Sequence, residues 1–349
     1  MGRVTRISQT KLAKDLGVSQ ALVSMVLNGR RENISPETYQ RIWDHALSLG
    51  YQPKGMKLGQ SPAGTLQRQV GFVLRSGLNI HTQGSYFAQV LHGLHSALSD
   101  QGYATVILGS EDTLTVPKLR QFFHAGHALK GVVLLGQVDD DFLLKLRDFE
   151  TRIVAVSARH QGLCHSVLGN EPQAIASLVQ HLKELGHRRM GWIGGNTGLG
   201  RHEARYRAYL AALRGAGLEA DPRYAVSQKQ GDRAAGAEAV HTLLPLAKRR
   251  DFPTAFITYN QHMARGAVAA FEREDVAVPG DISVGAADYS SLAREETPTI
   301  TAAGCDAESL GRAAAGLLLD PKVGADGSYL DLTLPSTLFV GATTGPAAR

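Results

Sequence analysis

LAKDLGVSQALVSMVLNG, residues 12–29, contains two short helical patterns with a break between them. Leu12, Ala13 and Leu16 recur at helical spacing until Gly17 interrupts them. Ser19 then stands as a good N-cap. Leu22, Val23, Val26 and Leu27 resume the apolar stripe, which Asn28-Gly29 ends. Two amphipathic helices joined by a Gly-Val-Ser turn make a helix-turn-helix, whose second helix suits the DNA major groove. An ordinary helical hairpin inside a larger core would read similarly, but basic residues surround this pair and a third helix follows it. That helix is expected from Ser35-Pro36, a cap with proline at the first helical position, to about Leu49. Ile42, Ala46 and Leu49 would face inward, with Tyr39 and Trp43 packed beside them.

Charge supports a nucleic-acid role for this end. Residues 1–60 hold nine Lys or Arg against four acids, a net +5, and the 349-residue chain as a whole is also +5. The body is therefore neutral and the head basic, as expected where the head meets phosphates. The hydrophobic fraction of 43% and charged fraction of 20% fit a globular protein of two or three domains. Cys164 and Cys305 show neither metal-ligand spacing nor a disulfide framework, and suit a reducing compartment. The start MGRVTRISQTK lacks the apolar core of a signal peptide, and no segment has ~18 consecutive apolar residues. A cytoplasmic protein without membrane association is expected.

Residues 50–69, rich in Gly and Pro, read as a linker. From Val70 onward, apolar runs alternate with helical patterns. Strands are expected at 70–74, 104–109, 131–136 and 152–157, with helices over 86–101, 116–125 and 139–149. A second series starts near His165. Its strands lie at 187–195, 225–228, 255–260 and 282–288, and its helices over 172–185, 202–216, 233–246 and 263–274. A helix at 307–319 and a strand at 329–334 finish the chain, and 341–349 reads as a frayed end. Two β/α series predict two doubly wound lobes, with ligand at the carboxyl ends of strands in the cleft between them.

The motifs LAKDLGVSQALVSMVLNG, ISPETYQRIWDHALSLGYQP, LKELGHRRMGWIGG, PTAFITYNQHMARGAV and VPGDISVGAADYSSLAREETPTIT, in this order and spacing, resemble the LacI/GalR family of bacterial transcriptional regulators over essentially the whole chain. The resemblance implies an all-α helix-turn-helix DNA-binding domain at 1–52 and a hinge at 53–68. It further implies an α/β, type I periplasmic-binding-protein-like core at 69–349. The N-lobe would be about 69–165 with 292–325, and the C-lobe about 166–289 with 328–342. A homodimer reading a pseudo-palindromic double-stranded operator, controlled by a sugar-like effector in the cleft, follows from the same resemblance, and no cofactor is implied.

Within the head, Ser19, Gln20, Ala21 and Ser24 lie where side chains reach base edges or phosphates, and the Gln20 amide can bond adenine bidentately. Asn28, Arg30 and Arg31 suit phosphate contacts. Met25 stands where the family usually has arginine, so a thymine methyl replaces guanine as its natural contact. In the hinge, KGMKLGQ replaces Ala- and Arg-rich text, and each glycine costs a helix ~1 kcal/mol. Met56 and Leu58 are candidate minor-groove wedges.

For the effector, Arg205, Asn260 and Asp288 transfer by motif, although Gln261 replaces the usual aspartate after Asn260. An Asn or Asp ending a strand also caps the next turn, and that role competes with ligand binding. Arg233 falls where the family often has a stacking aromatic, and Arg75 follows the first strand; both favour an anionic or strongly polar effector such as a sugar acid or sugar phosphate. Enzyme readings are weak. GGNTGLG fits neither common phosphate-binding glycine pattern, and no nucleophile elbow, metal cluster or paired carboxylates stand out. His187 in the GHRR turn suits packing or capping. A solute sensor without operator specificity and a nucleotide-using α/β enzyme are the alternatives.

Overall fold

The computed structural model describes residues 9–27, 34–35, 38–39, 41–42, 45, 69–76, 80–123, 129–290, 292–295 and 297–348. The chain divides into two compact units, Met1–Thr65 and Leu66–Arg349. Asn28, Arg30, Arg31, Trp43, Ala46, Leu49, Met56 and Leu58 lie outside the described residues, as does the hinge 53–68.

In the first unit, α1 (Gln9–Leu16) and α2 (Gln20–Leu27) are joined by the turn read from the sequence. Gly17 takes φ +66°, a left-handed conformation that a side chain would resist, and Val18 N–H closes back on Ala13 O at 3.0 Å. Ser19 Oγ accepts the Leu22 N–H at 3.1 Å and so caps α2. Leu12, Ala13, Val23 and Val26 form a buried cluster with Ile42. Residues 38–39, 41–42 and 45 are helical, and Ser35 Oγ accepts the Thr38 N–H at 3.2 Å, the cap expected there.

The second unit contains two six-stranded sheets. The first has the order β11-β5-β4-β3-β1-β2, with β1 (Gln69–Leu74), β2 (Ala104–Ser110), β3 (Gly131–Leu135), β4 (Arg152–Val156), β5 (His165–Gly169) and β11 (Asp331–Leu334), all parallel. The second is β12-β10-β9-β8-β6-β7, with β6 (Met190–Gly194), β7 (Ala225–Ser227), β8 (Ala255–Thr258), β9 (Ser283–Ala286), β10 (Thr301–Gly304) and β12 (Thr337–Phe339). Its strands are parallel except for the β10–β12 pair. Every residue of β3, β6, β8 and β9 is buried, because helices cover both faces of each sheet. On the first lobe the cover includes α3 (Ile80–Ser99), α4 (Val116–Phe123) and α5 (Asp140–Arg147). The second lobe carries α6 (Glu171–Glu184), α7 (Gly200–Gly215), α8 (Arg233–Leu243) and α9 (Gln261–Arg273). After α10 (Leu292–Glu295), α11 (Ala307–Leu319) returns to pack in the core of the first lobe.

Three segments cross between the lobes, and they correct the expected boundaries. His165–Gly169 belongs to the first sheet rather than opening the C-lobe. Thr301–Gly304 pairs in the second sheet although 292–325 was assigned to the N-lobe. Asp331–Leu334 pairs beside β5 in the first sheet although 328–342 was assigned to the C-lobe. Segments as short as HSVLG, TAAG and DLTL carry no periodicity that names a sheet; their neighbours decide. The end of the chain is also ordered rather than frayed. Thr343 is fully buried and exchanges hydrogen bonds with Val284, through Val284 N–H to Thr343 O at 2.8 Å and Thr343 Oγ1 to Val284 O at 2.7 Å. His187 has the packing role expected of it: Nε2 donates to Gly345 O at 3.0 Å, Nδ1 accepts from Thr254 Oγ1 at 2.8 Å, and burial holds its pKa below the usual value.

Candidate functional site: the inter-lobe cleft and the second head helix

Residues at the carboxyl ends of six strands meet in one cleft. Arg75 follows β1, Gly136 and Gln137 follow β3, and Ser157 follows β4, while Tyr86 and Phe87 come from α3. From the second lobe come Asn196 after β6, Tyr259, Asn260 and Gln261 after β8, and Asp288 and Ser290 after β9, with Leu199, Arg201 and Arg205 from the start of α7. The cavity between them is about 70 Å³ and partly open to solvent.

Strand ends bring these groups together at some backbone expense. Ser157 and Asn196 take φ of 62° and 56°. Non-glycine residues enter that left-handed region seldom, and where they do the surrounding structure must hold them there. At Gly136, φ is +87° and an added Cβ would lie 2.7 Å from Arg75 Cδ, so glycine is what lets the Arg75 side chain cross there.

Glu171, at the start of α6, organises the positive wall. Its Oε1 accepts from Arg201 Nε at 2.7 Å and from Arg205 Nη2 at 3.3 Å, and its Oε2 accepts from Arg205 Nε at 2.6 Å. Burial alone would raise the Glu171 pKa, but the two guanidiniums hold it below the usual value. Arg205 Nη1 donates to the Tyr259 carbonyl, and its guanidinium lies 4.7 Å from the centre of the Tyr259 ring. Arg201 lies 5.2 Å from the centre of the Tyr86 ring, and the Tyr86 hydroxyl is 2.7 Å from Ser157 Oγ. Burial lowers the Arg75 pKa, and Arg201 repels its charge further. Among the described residues, Arg201 on Tyr86 and the Gly200 N–H donating to Gln137 Oε1 at 2.9 Å join the lobes here.

Of the five effector residues expected, Arg75, Arg205, Asn260 and Asp288 are brought together and Arg233 is not. Arg233 is exposed as the first residue of α8, and its neighbour Gly231 makes the inward contact, accepting from Asn260 Nδ2 at 2.7 Å. Asp232 caps α8 through Ala235 N–H, which sets Arg233 on the outer side of the helix start. Asn260 and Asp288 do structural work as well. Asn260 Oδ1 accepts Met263 N–H and Asp288 Oδ1 accepts Gln261 N–H, both at 2.8 Å, so each caps the start of α9. Ala208 and Tyr209 are core residues, with Tyr209 hydroxyl donating to Met190 O at 2.8 Å.

The sequence reading missed Tyr86, Ser157, Glu171 and Arg201. Only Arg201 left a local signal: it precedes Arg205 by four residues, one helical turn, and so shares its face.

On α2, Ser19, Gln20, Ala21 and Met25 are exposed and Ser24 is half-buried, while Val23 and Val26 are buried. The candidate reading residues therefore occupy the side of α2 that the head core leaves open. Among the described residues, no group of three or more His, Cys, Asp or Glu could hold a metal ion, and no helix is long and apolar enough to cross a membrane.

Comparisons with known proteins agree with this architecture. A periplasmic binding protein-like domain matches residues 179–344. The HTH-type transcriptional repressor PurR of Yersinia pestis bv. Antiqua (strain Antiqua) is 28% identical over 317 residues, 88% of each chain. A LacI transcriptional regulator from a Rhodococcus species is 28% identical with TM-score 0.67, covering 81% of this chain and 100% of its own. The lac repressor dimer bound to operator and the anti-inducer ONPF has TM-score 0.67 at 20% identity, covering 98% of this chain and 100% of its own, a likeness of fold. With two mostly parallel sheets, a cleft at their strand ends and a helical head earlier in the sequence, the chain is similar in architecture to LacI-family transcriptional regulators.

Proposed function

We propose that the protein is a sequence-specific DNA-binding regulator, acting as a repressor, that binds a pseudo-palindromic operator as a homodimer. A small polar effector, a sugar or an anionic sugar derivative, controls it from the inter-lobe cleft, and it catalyses no reaction. Residues 1–52 serve as the reader and 53–68 as the hinge, in a cytoplasmic protein. The observation that carries this reading is the convergence of Arg75, Arg205, Asn260 and Asp288, from four separate segments, on one cleft at the strand ends. Gln20 serves as the direct base reader, with Ser19, Ala21, Ser24 and Met25 beside it on α2. Asn28, Arg30 and Arg31 contact phosphates, and Met56 and Leu58 are the hinge wedges. A dimer suits this arrangement because a single head of this size buries little DNA surface, and a two-fold pair doubles it. Ile107, 58% exposed on the edge strand β2, supports a partnered face on the first lobe.

Effector binding shifts operator affinity by favouring one arrangement of the lobes. Selection of bound duplexes from a random library by the full chain, at moderate salt, tests the reading. Enrichment of a motif with two inverted half-sites is expected. Tight ligand binding without any enriched sequence would favour a solute sensor instead.

A further inference from the structure

We infer that Arg201, rather than Arg205, anchors the effector, and that the group it anchors is an oxyanion, a carboxylate or phosphoryl group on a small polyol. The inference rests on the effector reading above and deepens it. The two arginines share Glu171 but are spent differently. Arg205 is 1% exposed and commits Nε and Nη2 to Glu171 and Nη1 to the Tyr259 carbonyl. That makes it a positioning residue, holding Glu171 and the β8 end in place. Arg201 commits only Nε, to Glu171 at 2.7 Å, and one face, to Tyr86. Among the described residues its Nη1 and Nη2 donate no hydrogen bond within the chain, although the residue lines the cavity and its side chain is only 22% exposed. A guanidinium fixed on one edge and one face, with its other edge in a cavity, presents the two-pronged donor that carboxylate and phosphoryl oxygens match.

The disposition of charge agrees. Arg75, Arg201 and Arg205 bring three positive charges to this region; Glu171 is shared by Arg201 and Arg205, Glu111 acts on Arg75, and Asp288 lines the cleft. A bound anion would relieve the repulsion between Arg75 and Arg201. Because Arg201 belongs to the second lobe and rests on Tyr86 of the first, anion recognition and lobe closure meet at one residue.

Calorimetric titration of the full chain with D-glucuronate, D-glucose 6-phosphate and neutral D-glucose tests this. At least one anion is expected to bind tenfold or more tighter than glucose, and the two anions separate a carboxylate from a phosphoryl site. Arg201→Ser should weaken that anion at least tenfold, with its fold verified by thermal melting. Arg201→Lys should recover only part of the loss, since lysine lacks the flat fork. Glucose binding as tightly as both anions, anion binding unchanged in Arg201→Ser, or no anion binding at all would overturn the inference. Anion binding through Arg201 that leaves operator binding untouched would uphold it while sinking the regulatory reading.

Discussion

The helix α2 and the inter-lobe cleft are both candidate recognition surfaces, built in opposite ways. On α2 the candidate readers Ser19, Gln20, Ala21, Ser24 and Met25 belong to one run of seven residues, and helical geometry alone separates them from buried Val23 and Val26. The cleft takes its groups from six strand ends and two helices, 215 residues apart at the extremes from Arg75 to Ser290. A local surface loses its own function when one residue changes. An assembled surface couples recognition to folding, because its side chains also hold the segments together. Glu171 shows this most clearly, joining α6 to α7 through two guanidiniums.

The sharpest way to break the contrast is at Arg205. Arg205→Ala leaves a buried carboxylate with half its partners, and removing one partner of a buried pair costs about 3–5 kcal/mol. Urea denaturation should show a loss of that order, and the double change Glu171→Ala with Arg205→Ala should cost less than the sum of the two. Additive losses would mean that the triad is not a unit. On α2 the corresponding change, Gln20→Ala, should leave the melting temperature within a degree or two. It should nevertheless weaken operator binding by about 1–3 kcal/mol per half-site, read by fluorescence anisotropy on the selected duplex.

Gly136→Ala places a side chain at φ +87° and 2.7 Å from Arg75 Cδ, so a loss of about 1–3 kcal/mol in the melt is expected, together with weakened effector binding. A smaller effect comes from pH. Burial holds His165, His181 and His187 below their usual 6.5 in the folded chain, so the unfolded chain binds more protons below that pH. Their contribution to stability is complete above about pH 6.5 and is lost as pH falls toward the folded values. The melting temperature at pH 5.5 should lie below that at pH 7.5, and His187→Gln should flatten part of the difference. The smallest effect is expected at Ser19→Ala, about 1 kcal/mol from the lost α2 cap, confined to the head.

How far each region could be read in advance follows the same division. The turn at Gly17 and the caps at Ser19 and Ser35 depend on residues within a turn of one another, and Leu12, Val23, Val26 and Ile42 each fall on the apolar stripe of their own helical segment, so local identities sufficed. The strands of the two β/α series were legible because fully buried strands are continuous apolar runs. Arg205, Asn260 and Asp288 were placed in the cleft through motif position and Arg75 through its place after the first strand, whereas Arg233, also read by motif position, does not line the cleft, since the Asp232 cap sets its direction.

What the sequence determined, then, is everything carried by short-range periodicity and capping: the paired head helices, the alternation of strand and helix, and the strand ends as the place for a ligand. Tertiary structure alone decided which sheet received β5, β10 and β11, that the last residues lie against the second lobe through Thr343 and Gly345, and that Glu171 holds Arg201 and Arg205 together. Those outcomes depend on pairing partners far away in the chain. A four-residue strand or a lone carboxylate has no local property that names its partner; that choice is made only when the whole core packs.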